Sequence, residues 1–487
     1  MLQQGDDASG LDRGEARRHV TVVRCAHPAA YGATSLAKDL MIRTQERPDV
    51  GPDQAAAAVR DRFGLEGRCT PLPGERDRNF LLEQTDGRRW VVKVTSPEEP
   101  DEHLEFETRL LSWLASDGGL PVPGVAPSRD GEAVVRHDDG DGLWRIRVLE
   151  YLPGTVYAAV RPHRPALLRD LGRRTAELSL RLASFSDTPP ARSNFIWALS
   201  QAGRVMQTAL DLFEGDRRAL VSGCLDGFVA VEPALAELST QVIHGDINDH
   251  NVLVGGDGTV TGILDLGDAH LAPAVFDLAV AMAYAVLDRP DPLEAAAHMV
   301  AGYHAVRPLS DTELDVLFPL VRARLGASVS IAASRRRNAP QVDPYLLVSE
   351  TPAWAFLATT APIHPRLARG FLRDACGLPA CPRSPGLVGW LREQSPSPVM
   401  DIPADRTAVL DLSVASPILT GRDTDDTPAF TRRTWDAMAA AGAGVGLGRY
   451  REPRGFYLTE AFAGRPAEMP ERRTVHMGID VFAEPGA

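Results

Sequence analysis

The stretch that decides the reading is QVIHGDINDHNVLVGGDGTVTGILDLGD, running from Gln241 to Asp268. Residues 252–254 and 260–266 are strand-like, and Gly255-Gly256-Asp257-Gly258 supplies a turn between them, so a hairpin returns Asp265 towards Asn251. Asp246, Asn251 and Asp265 then share one end. A carboxylate, an amide oxygen and a second carboxylate gathered there form a hard-oxygen set suited to Mg²⁺, which keeps places for water and phosphates. The spare carboxylate accepts a hydroxyl proton, and phosphoryl transfer needs both parts. A single Asp in such a hairpin more often caps a turn. An HxD segment, an Asn five residues later and a strand ending in Asp-Leu-Gly together favour chemistry over capping.

Working outward, the basic residues number 52, yet only Lys38 and Lys93 are lysines. Positive charge here is almost always Arg, so Lys93 stands out inside the apolar run Val91-Val92-Lys93-Val94. A buried ammonium requires a counter-charge or an anionic ligand. On the following helical stretch, Glu107 falls on the stripe of Leu104, Leu111 and Leu114, and a carboxylate facing inward needs a cation. Pairing Lys93 with Glu107 answers both demands. Glu102 and Glu105 are alternatives, and a snorkelling Lys with a solvated Glu is the plainer possibility.

The flanking pattern orders the chain. A helix is expected in DQAAAAVRDRFGL from Asp53, then Pro71-Leu72-Pro73-Gly74, then strands over 79–84 and 89–94 joined at Asp86-Gly87. A helix over 103–115 and strands over 133–136 and 143–151 complete a small sheet lobe. From Pro165 onward Ala/Leu/Arg-rich helical patterns dominate, broken by the β insert of 242–266. After Arg392 the chain turns to Ser and Pro, and 441–448 is mostly Gly and Ala. The expected fold class is α+β, with residues 1–51 a loose leader, 52–152 a β lobe, 153–392 a helical lobe and 393–487 a separate, weaker β-containing extension.

Composition narrows the function classes. Asp plus Glu number 65, giving a net charge of −13, and no long basic run offers a face to nucleic acid. The first twenty residues carry four acids and no apolar core, unlike a secretory signal. The most membrane-like stretch, 271–287, carries Pro273 and Asp277 and falls short of the roughly 20 apolar residues a span needs, so it reads as a buried helix. Five scattered cysteines argue against a disulfide framework and for a cytoplasmic location; Cys376 and Cys381 read as ordinary thiols before a redox pair.

At His244-Gly245-Asp246, Asn251 and Asp265-Leu266-Gly267 the chain resembles the aminoglycoside phosphotransferase family of the protein-kinase-like fold. The resemblance covers about residues 52–392 and implies a bilobal fold, ATP and Mg²⁺ as cofactors, Asp246 as catalytic base, and Asn251 and Asp265 as metal ligands. Leu266 stands where the family commonly has Phe. Lys93 with Glu107 matches the pair that kinase-like folds use to hold nucleotide phosphates. The segment 147–154 matches the interlobe hinge, implying adenine contacts near Glu150 and Leu152. The loop of residues 73–80, ending at Asn79 and Phe80, takes the phosphate-covering position without GxGxxG, which weakens a protein-kinase reading and leaves a small-molecule kinase untouched. LPGERDRNF, HGDINDHNVL and TGILDLGD look most like the hydroxylysine-kinase-type branch, as do the later GYHAVRPLS and YLLVSETPAWA.

Other polar residues keep two readings each. Asp268 stands between metal or substrate-amine binding and turn capping, and His244 between a base and a loop-shaping imidazole, the latter favoured. Asp277 reads as a helix cap or a brace for the catalytic loop rather than a substrate contact. Arg335-Arg336-Arg337 reads as a solvated helix end. Near the C-terminus, HMGID, His476 to Asp480, resembles the HxGxD segment of lysostaphin-like zinc peptidases, but no later His supplies a third ligand, so no peptidase activity is expected. That order resembles the opening of longer proteins that continue into a pyridoxal-phosphate aminotransferase, implying a truncated product or fragment.

The expected function is an ATP- and Mg²⁺-dependent kinase acting on a hydroxyl of a small amine or amino acid, with no nucleic-acid or membrane partner. The alternatives are a catalytically silent kinase-like binding module, an aminoglycoside-type kinase, and an interaction module holding metal at His476 and Asp480.

Overall fold

The computed structural model describes residues 48–487 apart from 75, 97, 117, 139–142, 193–194, 339–348, 395–399, 420–425, 455–474 and 485–487. Nearly all of the expected leader therefore lies outside the described residues. The chain divides into two compact units, residues 1–382 and 383–487.

The first unit is bilobal. Helix α1 (Pro52–Phe63) starts at Pro52 and stops at Gly64, whose φ of 71° releases the chain. Strands β1 (Arg68–Leu72), β2 (Arg78–Glu83) and β3 (Arg89–Thr95), helix α2 (Asp101–Ala115), and strands β4 (Val125–Ala126), β5 (Val135–Asp138) and β6 (Leu143–Glu150) follow. They form an antiparallel sheet in the order β1-β2-β3-β6-β4, with β5 also on β6. No strand was expected before residue 79, yet Pro71 and Leu72 pair with Phe80 and Asn79. Proline is tolerated there because β1 is an edge strand. One face of the sheet buries Phe80, Leu82, Val92, Val94, Ile146 and Val148 against α1. The opposite face carries Asn79, Lys93 and Arg147 in register across β2, β3 and β6.

The second lobe comprises β7 (Thr155–Val156), α3 (Pro165–Leu182), α4 (Ala202–Ala209), α5 (Gly215–Leu235), β8 (Thr240–Ile243), β9 (Val252–Val254), β10 (Val260–Ile263), β11 (His270–Pro273), α6 (Val275–Ala285), α7 (Pro292–His304), α8 (Asp311–Asn338), α9 (Glu350–Thr360) and α10 (Pro365–Ala375). Two short pairings escape the sequence reading, β8 with β11 and β7 with β9. The helix expected within 271–287 is α6, buried along its whole length. Helix α8 is long and apolar enough to cross a membrane, but 83% of its most apolar window is buried in the protein. Helices α3 and α7 cross closely because Gly172 and Gly302 lack side chains: a Cβ at either would lie 2.0 Å from a backbone oxygen of the other helix.

The second unit holds α11 (Ser384–Glu393), β12 (Thr407–Leu410), α12 (Thr427–Ala440), β13 (Val445–Gly448), β14 (Glu452–Pro453), β15 (Val475–His476) and β16 (Val481–Ala483). Its division from the first unit falls at Pro382, earlier than the change in composition after Arg392. Its described core is small, built on Leu410, Leu412 and Met438. Cys69, Cys224, Cys376 and Cys381 are thiols rather than disulfide partners.

Candidate active site

The loop after β8 is fixed from beneath. Asp277, buried at the start of α6, accepts the backbone N–H of His244 at 2.9 Å and of Gly245 at 2.8 Å. Burial raises its pKa, with His244 and those N–H groups opposing. Gly245 sits at φ 83°, and a Cβ there would meet the Asp268 carbonyl at 2.6 Å, so the turn requires glycine. His244 is fully buried, its Nε2 3.0 Å from the Leu264 carbonyl and its Nδ1 accepting from Asp246 N–H at 3.2 Å. The imidazole therefore ties the loop to the following hairpin and is not aimed into the cleft.

Asp246 is held at both carboxylate oxygens. Arg324 of α8 donates to Oδ1 at 2.7 Å, and Asn248 and Asn251 donate to Oδ2 at 2.7 and 3.2 Å. Burial pushes its pKa up to about 6 even though Arg324 pulls it down. Asn251 also donates to the Asp246 carbonyl at 2.9 Å, so its amide nitrogen faces Asp246. Leu264 N–H bonds the Asn251 carbonyl at 2.8 Å, and Ile263 pairs with Val252, which brings Asp265 to the Asn251 end of the hairpin. Asp265 adopts φ 65°, a conformation uncommon outside glycine, and its side chain is 51% exposed.

From the sheet lobe, Lys93 reaches Asp265 at 3.1 Å, Asp77 at 3.3 Å and Glu107 at 4.0 Å. Burial pulls the ammonium down, but those acids outweigh it and hold Lys93 above the usual lysine range. Lys93 in turn is the main reason that the Asp265 carboxyl lies well below the usual carboxylate range. The expected Lys93–Glu107 pair is thus one edge of a larger cluster. Glu107 makes its shortest contact to Arg147, 2.7 Å away, and Arg147 also approaches Asp77 at 3.6 Å. Glu105 instead faces Arg109 on the outside of α2.

These groups border one cavity of about 640 Å³. Glu150 and Leu152 of the hinge line it, as does Asn79, whose amide donates to the Pro73 carbonyl at 3.0 Å. Glu150 accepts from Gly124 N–H at 3.2 Å. Asp268 faces two guanidinium groups, Arg76 at 2.5 Å and Arg192 at 3.7 Å, which occupy it more fully than turn capping does. Arg335 is a correction: it is not a solvated helix end but 7% exposed, lining the cavity with its guanidinium over Trp197. Arg324, Arg147 and Asp77 escaped the sequence reading. An arginine amid the apolar α8 run was the available signal for the first, and inward alternation on β6 for the second.

The donors offered to a cation here are two carboxylates and an amide rather than a closed cage, which fits Mg²⁺ bound together with phosphates. Among the described residues no group of three or more His, Cys, Asp or Glu is arranged around a metal position. In the second unit, His476 Nε2 lies 3.3 Å from Asp480 Oδ1, and the other carboxylate oxygen of Asp480 is paired with Arg454 at 2.6 Å.

Comparison with known proteins gives the family. A model of the phosphotransferase enzyme family matches residues 68–311. Hydroxylysine kinase of Danio rerio is 30% identical over 325 residues, covering 63% of this chain and 91% of that protein. Homoserine kinase of Caulobacter sp. (strain K31) is 29% identical over 298 residues, covering 56% and 83%. Among solved structures, a microcompartment-associated aminopropanol kinase aligns at 19% identity over 67% of this chain and 99% of its own, with a TM-score of 0.49. The matched residues carry Lys93, the Asp246 loop and Asp265, and this chain belongs to the phosphotransferase enzyme family.

Proposed function

We propose that the chain is an ATP- and Mg²⁺-dependent kinase that phosphorylates the hydroxyl of a small amine or amino acid, with hydroxylysine the first candidate. The observation that carries this reading is the meeting of Asp246, the half-exposed Asp265 and Lys93 around one cavity. The likeness to the curated hydroxylysine and homoserine kinases supports the acceptor class. Consumption of ATP fits a cytoplasmic location.

Each residue then has a task. Asp246, oriented by Arg324 and Asn248, accepts the proton of the attacking hydroxyl. Lys93 donates to nucleotide phosphates, and Arg147 holds Glu107 in place beside it. Asn251 and Asp265 would hold Mg²⁺, which when bound supplies charge neutralisation to the transferring phosphoryl group. Glu150 and Leu152 border the space for adenine at the hinge.

The test is ATP-dependent phosphorylation screened over hydroxylysine, homoserine, simple hydroxyamines and aminoglycosides, with Asp246→Ala as control. Turnover of an amine or amino acid that disappears in the variant is the expected result. Binding of ATP and Mg²⁺ with no turnover of any acceptor would instead identify a silent binding module.

A further inference from the structure

A second cavity, of about 280 Å³, opens beside the catalytic loop, and Asp249, His250, Tyr284 and Ser349 line both it and the main cleft. Two of its lining residues carry buried polar atoms that make no hydrogen bond, Asp249 Oδ1 and His163 Nδ1. Tyr157 is 1% exposed. Burial raises its phenol, whose Oη also makes no hydrogen bond, and its ring stacks on that of His163 at 3.9 Å. Buried donors and acceptors are ordinarily satisfied, so a cluster of orphans beside a cavity points to a polar ligand. Asp249 lies three residues beyond Asp246, on the same loop.

The charges alternate in a way that suits a zwitterion. Asp249 offers a carboxylate where the two cavities join. Arg161 also lines the second cavity, 3.6 Å from Asp288 in an exposed pair readily exchanged for a ligand. Asp288 adopts φ 56°, a conformation that non-glycine residues keep mainly where the surroundings demand it.

We propose that this side cavity receives the amino-acid head of the acceptor, its α-ammonium on Asp249 and its carboxylate on Arg161, while the side-chain hydroxyl reaches Asp246. The inference rests on the kinase reading above and deepens it, because it selects hydroxy-amino acids over hydroxyamines that lack a carboxylate.

The experiment compares 5-hydroxylysine with its decarboxylated counterpart, 1,5-diaminopentan-2-ol, as acceptors for the full chain and for Arg161→Leu. The expected outcome is a wild-type preference for the amino acid that falls by about tenfold or more in Arg161→Leu, mainly through KM, as loss of a charge-assisted contact requires. A preference that stays within about twofold of wild type in that variant would overturn the inference while the kinase reading stands. Wild-type protein that turns over the two compounds equally, or neither of them, would likewise overturn it; only failure across the whole acceptor screen would remove the kinase reading.

Discussion

At the scale of the residue, the site depends on charges that hold one another. Asp246 must be ionised to accept a proton, and its pKa of about 6 puts an acid limb into the profile: kcat/KM should rise as pH rises through that value and then level. Arg324 lowers that pKa, so Arg324→Met should move the limb to higher pH, as a pH series on both proteins would reveal; an unmoved limb would mean that another group controls it. Asp246→Asn should cost about 10²–10⁴-fold in kcat while leaving the circular dichroism spectrum unaltered. Arg147→Leu acts differently, because it leaves Glu107 buried with Lys93 only at 4.0 Å. Breaking a buried pair from one side costs about 3–5 kcal/mol, so its chief effect should be a lowered Tm. The His-Gly-Asp, Asn and Asp-Leu-Gly positions were legible because their spacing is local. Arg324 was not, since the contact that matters spans 78 residues of chain and no pattern in α8 says which cavity its guanidinium enters.

At the scale of the element, the hairpin of β9 and β10 and the strand bearing Lys93 followed from alternation and turn residues. The edge strand β1 did not, because Pro71 argues against a strand until its place at the sheet margin is known. The pairing of β8 with β11 was equally hidden: each is four residues long, and the intervening chain holds the site itself. The crossing of α3 and α7 allows a direct check. Gly172→Ala or Gly302→Ala would drive a methyl into the backbone of the facing helix, and overpacking of this kind costs about 1–3 kcal/mol or more. Chemical denaturation should show the loss; an unchanged midpoint would mean that the helices can separate without penalty.

At the scale of the whole molecule, two units of unequal core predict unequal resistance to heat. Calorimetry of the full chain should resolve two transitions, and ATP with Mg²⁺ should raise only the one belonging to residues 1–382. One cooperative peak that shifts as a whole would contradict independent units. The change in composition after Arg392 made a second unit legible, but its boundary at Pro382 was not, because α11 continues the Leu- and Arg-rich pattern of the helices before it.

The scarcity of lysine has a practical outcome. With Lys38 and Lys93 the sole lysines in 487 residues, an endoproteinase specific for lysine has almost nowhere to cut, and Lys93 is 9% exposed in the middle of a sheet. Scission at that bond therefore measures how often the strand is released, and protection by nucleotide would report closure of the cleft without any label, tag or substrate turnover.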